Sequence, residues 1–415
     1  MNNTVEFRKI TVFSLAVFFA LLFPGISAHA EYAKMDIIPS LSIQEELNSN
    51  VYNTPNNEVS SLGTRISPNL ELKMMSQDNV TITLGGGYDK IWQYSRDAKD
   101  ASDSTWNASV GSTGAWTITP NFNITPSFYF MDTKNSTNRA GFIPMGDPLM
   151  PSISGISYVN SERQSTGAAL DFMYRISPRW NTNLIVDYLQ EHFRRSGITI
   201  NDPVNSSQTG VRVGVNYVLS PLSQAGLFAQ VRFIEFEDSA NTKSYSAGLT
   251  SSHRLSETLK LSVDAGVTHT VRDNDTGSDS GDTKTGPMAN ILLKYTGQAF
   301  QAELFGNTLY AGVSGYGDIT QQYTGGIRLE QQFTQTISGK LSGFFQNSRS
   351  VFQNDAVNIN ALYGTASVIY QPLRIMSIYL QGTLNNQRSK NAFGDSIDSY
   401  LVMLGVKIAV PYHIL

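Results

Sequence analysis

From Met35 to the end of the chain, apolar residues recur at every second position with polar residues between them, which is the period of an extended strand and not of a helix. Val80, Ile82, Leu84, Tyr88, Trp92 and Tyr94 share one face, and Thr81, Thr83, Asp89 and Gln93 share the other. Val211, Val213, Val215, Tyr217 and Leu219 oppose Arg212, Gly214 and Asn216, while Leu259, Leu261, Val263, Ala265 and Val267 oppose Lys260, Ser262 and Asp264. The longest alternation runs through Tyr400, Val402, Leu404, Val406, Ile408, Val410 and Tyr412. Two kinds of connection separate these stretches. Short turns recur in similar form, as in Ile118-Thr119-Pro120-Asn121, Ile176-Ser177-Pro178-Arg179, Leu219-Ser220-Pro221-Leu222, Leu255-Ser256-Glu257-Thr258, Phe333-Thr334-Gln335-Thr336 and Tyr370-Gln371-Pro372-Leu373. Longer segments rich in Asp, Asn, Ser and Gly lie between them, at 97–104, 138–160, 198–205 and 273–282. A propeller blade has a similar repeat of about 40–45 residues but fits four strands into it; here only two long ones fit.

The apolar face of each strand needs a partner, and the sequence offers no helices to cover it. Pointing that face into lipid solves the problem, and closing the sheet removes edges whose backbone groups hydrocarbon would leave unsatisfied. The pattern therefore predicts an all-β fold, a transmembrane antiparallel up-and-down β-barrel of about 18 strands, with 16 as the alternative. Eight short turns and nine longer loops would join the strands and place both termini on the short-turn side. Trp92, Tyr94, Trp106, Trp116, Trp180, Tyr217, Tyr295, Tyr370, Tyr400 and Tyr412 stand near strand ends, where interfacial aromatic girdles belong.

Composition agrees with a wall that is half greasy and half wet. Only 15% of the 415 residues are charged and 40% are apolar, against about a quarter charged in ordinary soluble domains. The absence of cysteine excludes a disulfide scaffold, Cys-based zinc, attached c-type haem and a lipoprotein anchor. A net charge of −4 gives no footprint for nucleic acid. Residues 1–30 read as a signal peptide: Arg8 and Lys9, an apolar run from Val12 to Phe23, then Ala28-His29-Ala30 for cleavage. Residues 31–415 would then form the barrel, in the outer membrane of a Gram-negative bacterium with both termini periplasmic.

The polar faces carry the candidate chemistry. Arg65, Asp89, Asp171, Asp187, Arg212, Arg232 and Arg328 fall in phase with the lumen. Acidic residues prevail on the earlier strands and basic ones on the later, which suggests a transverse field across a pore; pairing of the same charges between neighbouring strands is an equal alternative. The longest loop, 138–160, is apolar for an external segment, and Phe142, Met145, Asp147, Leu149 and Ile153 are candidates for an inward-folded constriction, with a rim cap as the alternative. Tyr129, Phe305, Phe344 and Tyr379 are lumen-phase aromatics on which sugar rings could stack.

The opening Leu41-Ser42-Ile43-Gln44-Glu45-Glu46-Leu47-Asn48-Ser49-Asn50-Val51-Tyr52, followed by Ile66-Ser67-Pro68-Asn69-Leu70, resembles the first hairpin of a bacterial outer-membrane β-barrel family associated with exopolysaccharide and exosortase systems. That family opens on an acidic-aromatic-Asn-Asp-Asn-apolar segment and a turn around Ser-Pro; here Leu47 stands at the aromatic position and Ser49 at the Asp position. The resemblance implies a barrel in the outer membrane and a link to surface polysaccharide.

The expected function is a porin-like channel for hydrophilic solutes, with oligo- or polysaccharide as the solute that the resemblance implies. The expected partners are outer-membrane lipid and lipopolysaccharide, the barrel-assembly machinery and periplasmic export proteins. Assembly would read Tyr412, the in-phase aromatic nearest the C-terminus. Two alternatives belong to other classes: a sheath or structural partner for an envelope protein such as a multihaem cytochrome, and a barrel hydrolase. The histidines of the barrel region, His192, His253, His269 and His413, sit in no Ser/His or Asp/His motif, and neither a cofactor nor a metal site is expected.

Overall fold

The computed structural model describes residues 34–51, 58–75, 81–101, 104–113, 116–133, 162–194, 204–237, 239–273, 282–313, 318–352, 357–390 and 396–414. The expected signal peptide lies outside these residues. The first strands are β1 (Lys34–Asn48), β2 (Ser61–Met75), β3 (Thr81–Gln93), β4 (Ser104–Thr113), β5 (Trp116–Thr119), β6 (Phe122–Thr133) and β7 (Glu162–Arg175). β8 (Trp180–Arg194), β9 (Ser206–Ser220), β10 (Ser223–Phe236), β11 (Ser239–Arg254), β12 (Leu259–Arg272) and β13 (Asp282–Thr296) follow. The last are β14 (Phe300–Val313), β15 (Asp318–Gln332), β16 (Ile337–Ser350), β17 (Asn358–Leu373), β18 (Met376–Ser389), β19 (Ile397–Ala409) and β20 (Tyr412–His413).

Apart from β4, which pairs with β6, each strand up to β18 pairs antiparallel with the next, and β19 returns to pair with β1 from Ser40↔Ala409 to Asn48↔Leu401, so the sheet closes on itself. β5 continues β4 against β6, and β20 continues β19 against β1, so the twenty segments make an 18-strand barrel. Among the described residues no helix is long and apolar enough to cross a membrane, and the strands do the crossing.

The alternation sorts as the sequence expects. Leu41, Ile43, Leu47, Val213, Val215, Leu249, Val267, Leu304, Val402, Leu404 and Ile408 are exposed on the outer surface. Polar residues of the alternate phase, such as Glu46, Asn48, Asp187, Glu191, Thr268, Gln346 and Ser399, are buried inside. Ring contacts mark both rims of the outer face. At the short-turn end Trp180 meets Tyr217 at 4.8 Å and Tyr295 meets Phe300 at 5.9 Å; toward the long-loop end Tyr88 meets Trp106 at 4.4 Å. A charged interior, an oily exterior and no open edge define a transmembrane β-barrel of the outer-membrane type.

Three local expectations need correction. Tyr370–Leu373 is not a turn: it lies within β17, whose pairing with β18 shifts register between Tyr370 and Leu373, and the chain turns three residues later at Arg374–Ile375. Pro372 has no N–H to give the ladder, so it sits at the shift. Ile66–Leu70 likewise lies inside β2, where Ser67 and Pro68 interrupt the pairing with β3 but not that with β1. Among the nine longer connections, 237–238 and 314–317 are only two and four residues long.

β13 and β14 pair only from Thr296↔Gln301 to Ala289↔Thr308, although both strands continue toward the long-loop end. Pro287, which cannot extend a ladder, sits two positions past the last pair. Beyond it β14 parts from β13 and, still joined through β15 to β16, leans inward into contact range of β12. Tyr310 and Ile319, outward by phase, pack instead against Ile234 and Phe236 on the inner face of β10, with Val204 and Val351 beside them. Gly286 of β13 makes room: a Cβ there would stand 1.8 Å from the Tyr310 hydroxyl.

Candidate functional site

The inner wall is lined by charge, and the charge is organised in pairs. Arg65 grips Glu46 through Nε and Nη2, the second contact at 2.9 Å, with both side chains largely buried. Glu46, Asn48 and Asn50 are successive inward positions of the opening segment. Asn48 Oδ1 accepts the Asn50 backbone N–H at 3.0 Å, and Asn50 Nδ2 donates to the Asp398 carbonyl at 3.2 Å. The acidic-Asn-Asn spacing thus forms a polar ladder that ties β1 to its neighbours at the point where the barrel closes.

Two pairs reach over intervening strands, which only inward side chains of a curved wall can do. Arg232 on β10 approaches Asp187 on β8 at 3.8 Å, across β9. Gly210 lies between them, and a Cβ there would sit 2.3 Å from Asp187 Oδ1, so the carboxylate lies flat on bare backbone. Arg212 on β9 donates to Asp264 on β12 at 3.1 Å, and its guanidinium covers the Phe228 ring of β10 at 4.1 Å. On β13–β15, Glu303 is held between Lys294 at 2.9 Å and Arg328 at 3.1 Å, and Arg328 stacks over Phe305 at 4.9 Å. Lys340 meets Glu330 at 3.0 Å.

The charges named from the sequence therefore all fall on the inner face. Arg65, Asp187, Arg212, Arg232 and Arg328 are in ion pairs, and Asp89 and Asp171 are half-buried on the inner sides of β3 and β7. Pairing is prominent, but it runs across the curve of the wall as well as between neighbours. The sequence pattern could not show this, because the reach from β9 to β12 depends on the curvature of the wall.

The four lumen aromatics also face inward, to different extents. Tyr129 lies on Gly167, where a Cβ would meet its ring at 2.2 Å, and Phe344 stacks on Tyr363 at 5.2 Å; both rings are less than a tenth exposed. Phe305 and Tyr379 are half-buried, and the Tyr379 hydroxyl bonds Ser42 Oγ at 2.7 Å and Gln44 Oε1. Phe142, Met145, Asp147, Leu149 and Ile153, expected at a constriction, lie outside the described residues. The element that the structure does bring into the lumen is the β14–β15 hairpin. Both strands still read as extended chain; the non-polar run Leu309-Tyr310-Ala311-Gly312-Val313, which breaks the alternation, is the one sequence sign of the lean that the lost β13–β14 pairing reveals.

One juxtaposition bears on the hydrolase alternative. Ser223 Oγ contacts His253 Nδ1 on the outer face at the short-turn end, a pair separated by 30 residues in sequence. Among the described residues no carboxylate is bonded to that imidazole, so the group that would orient a catalytic base is missing. No cluster of three or more His, Asp or Glu able to hold a metal is found among the described residues.

No family model and no curated protein matches the chain. Among solved structures it is similar to OpdK of Pseudomonas aeruginosa, an outer membrane protein, at 10% identity and a TM-score of 0.44 over 92% of this chain and 99% of that one. OccK2 (OpdF) of the same organism, solved with glucuronate, aligns at 11% identity and a TM-score of 0.45 over 93% and 99%. OccAB4 of Acinetobacter baumannii aligns at 10% identity and 0.41 over 91% and 98%.

Proposed function

We propose that this protein is an outer-membrane channel through which small hydrophilic solutes diffuse. The carrying observation is the radial sorting of the wall: within one closed sheet the exterior is apolar and the interior presents paired charges and amides. An interior built only for packing would be dry and apolar. This one keeps the Lys340 and Glu330 side chains about half exposed (52% and 48%) on the inner face near the short-turn end. At this strand number a barrel is wide enough for an aqueous lumen. By the layout usual for such barrels, the short turns and both termini face the periplasm. Lipopolysaccharide and the assembly machinery are then its envelope partners.

The finer reading, passage of oligo- or polysaccharide with periplasmic export partners, draws on the resemblance of the first hairpin and on the half-buried rings of Phe305 and Tyr379. A sheath around a cytochrome is less favoured, because the β14–β15 hairpin takes up cross-section that an enclosed protein would need. The test is planar-bilayer recording of the refolded chain in potassium chloride. Discrete conductance steps support the channel, and a folded, heat-modifiable barrel without conductance refutes it.

A further inference from the structure

At the short-turn half of the lumen the inner wall of β7–β11 hollows into a recess of about 260 Å³. Asn181, Asn183, Asn216, Arg212, Asp171 and Phe228 give it its character. The amides are oriented as well as gathered. Asn216 Nδ2 donates to Asn181 Oδ1 at 3.1 Å, which fixes which end of each carboxamide remains for a visitor. Asn183 lies flat on the wall because Gly214 is opposite: a Cβ there would stand 2.2 Å from Asn183 Oδ1. Arg212 is held from two sides, by Asp264 at 3.1 Å and by the Phe228 ring beneath it at 4.1 Å.

The charge inventory narrows the ligand. One guanidinium is accompanied by two carboxylates, Asp264 bonded to it and Asp171 in the lining, so an anion entering the recess gains no net attraction. Each carboxamide offers both a donor and an acceptor. Hydroxyl groups do the same, and a sugar ring carries several of them around its edge. The ring face of Phe228 is already covered by Arg212, so recognition here works through hydrogen bonds and not through stacking. The volume falls just below the roughly 300–1,000 Å³ of typical small-molecule pockets, which suits one sugar ring and not a chain of them.

We propose that this recess is a solute subsite on the pore wall for a neutral polyhydroxylated molecule of about the size of a single sugar ring. The proposal rests on the channel reading and deepens it. It is tested with the full mature chain in planar bilayers, adding glucose or glucuronate to the short-turn side at equal concentration and ionic strength. Glucose is expected to give saturable current interruptions, and glucuronate markedly fewer. The double variant Asn183→Ala/Asn216→Ala is expected to keep the potassium chloride conductance while its half-saturating glucose concentration rises about tenfold, equivalent to about 1.4 kcal/mol. Gly214→Ala provides a second arm, since it lifts the Asn183 carboxamide off the wall without deleting a polar group, and it should weaken glucose in the same direction. Conductance with no glucose response, equal responses to glucose and glucuronate, or an unchanged response in both variants overturns the subsite while leaving the channel standing. Absence of all conductance in the parent protein overturns both.

Discussion

Replacing Tyr310 by alanine tests whether the inward lean of the β14–β15 hairpin limits the pore. Tyr310 is 5% exposed and packs with Ile234, Phe236 and Ile319 where the hairpin crosses to β10. An aromatic side chain buries about 150–250 Å², which at about 25 cal/mol per Å² is at most about 4–6 kcal/mol. Measured aromatic-to-alanine losses in packed sites run about 3–5 kcal/mol. The β13–β14 ladder is already absent at this level, so on that side no backbone hydrogen bonds hold β14, while β15 stays paired with β16. A loss of about 3 kcal/mol shifts the balance between the leaning and the released hairpin by about a hundredfold. Single-channel recording should then show a larger conductance or frequent excursions to it. Tyr323→Ala is the control, because that ring sits on the outer face of β15 and takes no part in the cluster. If Tyr310→Ala gives a folded barrel with the conductance and noise of the parent, the hairpin is not the constriction and the reasoning fails.

Further outcomes follow from the same geometry. Arg232→Ala removes the cation facing Asp187, whose side chain is 4% exposed, and should destabilise the barrel by about 3 kcal/mol or more in urea unfolding from vesicles; a change within a few tenths would refute a structural role for that pair. Val267→Arg places a charge on the lipid face and should cost about 2–4 kcal/mol. Ser246→Arg, on the inward side of the neighbouring strand, gives up its bond to Thr268 Oγ1 but leaves its charge facing a polar interior, so it should cost less, and equal penalties would contradict the assignment of faces. Lys294→Gln together with Lys340→Gln removes two positive charges from the inner face of β13 and β16, so the reversal potential in a salt gradient should move toward cation preference, most clearly at low salt. A potential that does not move would mean that these lysines do not face the ion path.

How much of this was legible depends on the range of the interaction concerned. The alternation through Val211–Leu219 or Tyr400–Tyr412 sufficed to set strand, face and turn order, because a strand's two sides are fixed by its own backbone. The inward phase of Arg65, Asp187, Arg212, Arg232, Arg328, Phe305 and Tyr379 could be read for the same reason. Turn placement failed at Tyr370–Leu373, where proline marked a register shift instead of a reversal. Between Ile66 and Leu70 the strand absorbs Pro68 because β1 pairs through it. The recess of Asn181, Asn183 and Asn216 carried no motif, since its members are ordinary polar positions on two neighbouring strands whose mutual register the sequence does not spell out.

The chain by itself determined a closed, membrane-facing barrel with a polar inside, because hydrophobic period and turn chemistry are local properties and lipid leaves backbone edges no alternative. Tertiary structure alone decided which charges meet and where the lumen narrows. Arg212 finds Asp264 three strands away, and Tyr310 leaves its expected side for Ile234, because curvature and the loss of a single ladder bring together residues that no spacing along the sequence relates.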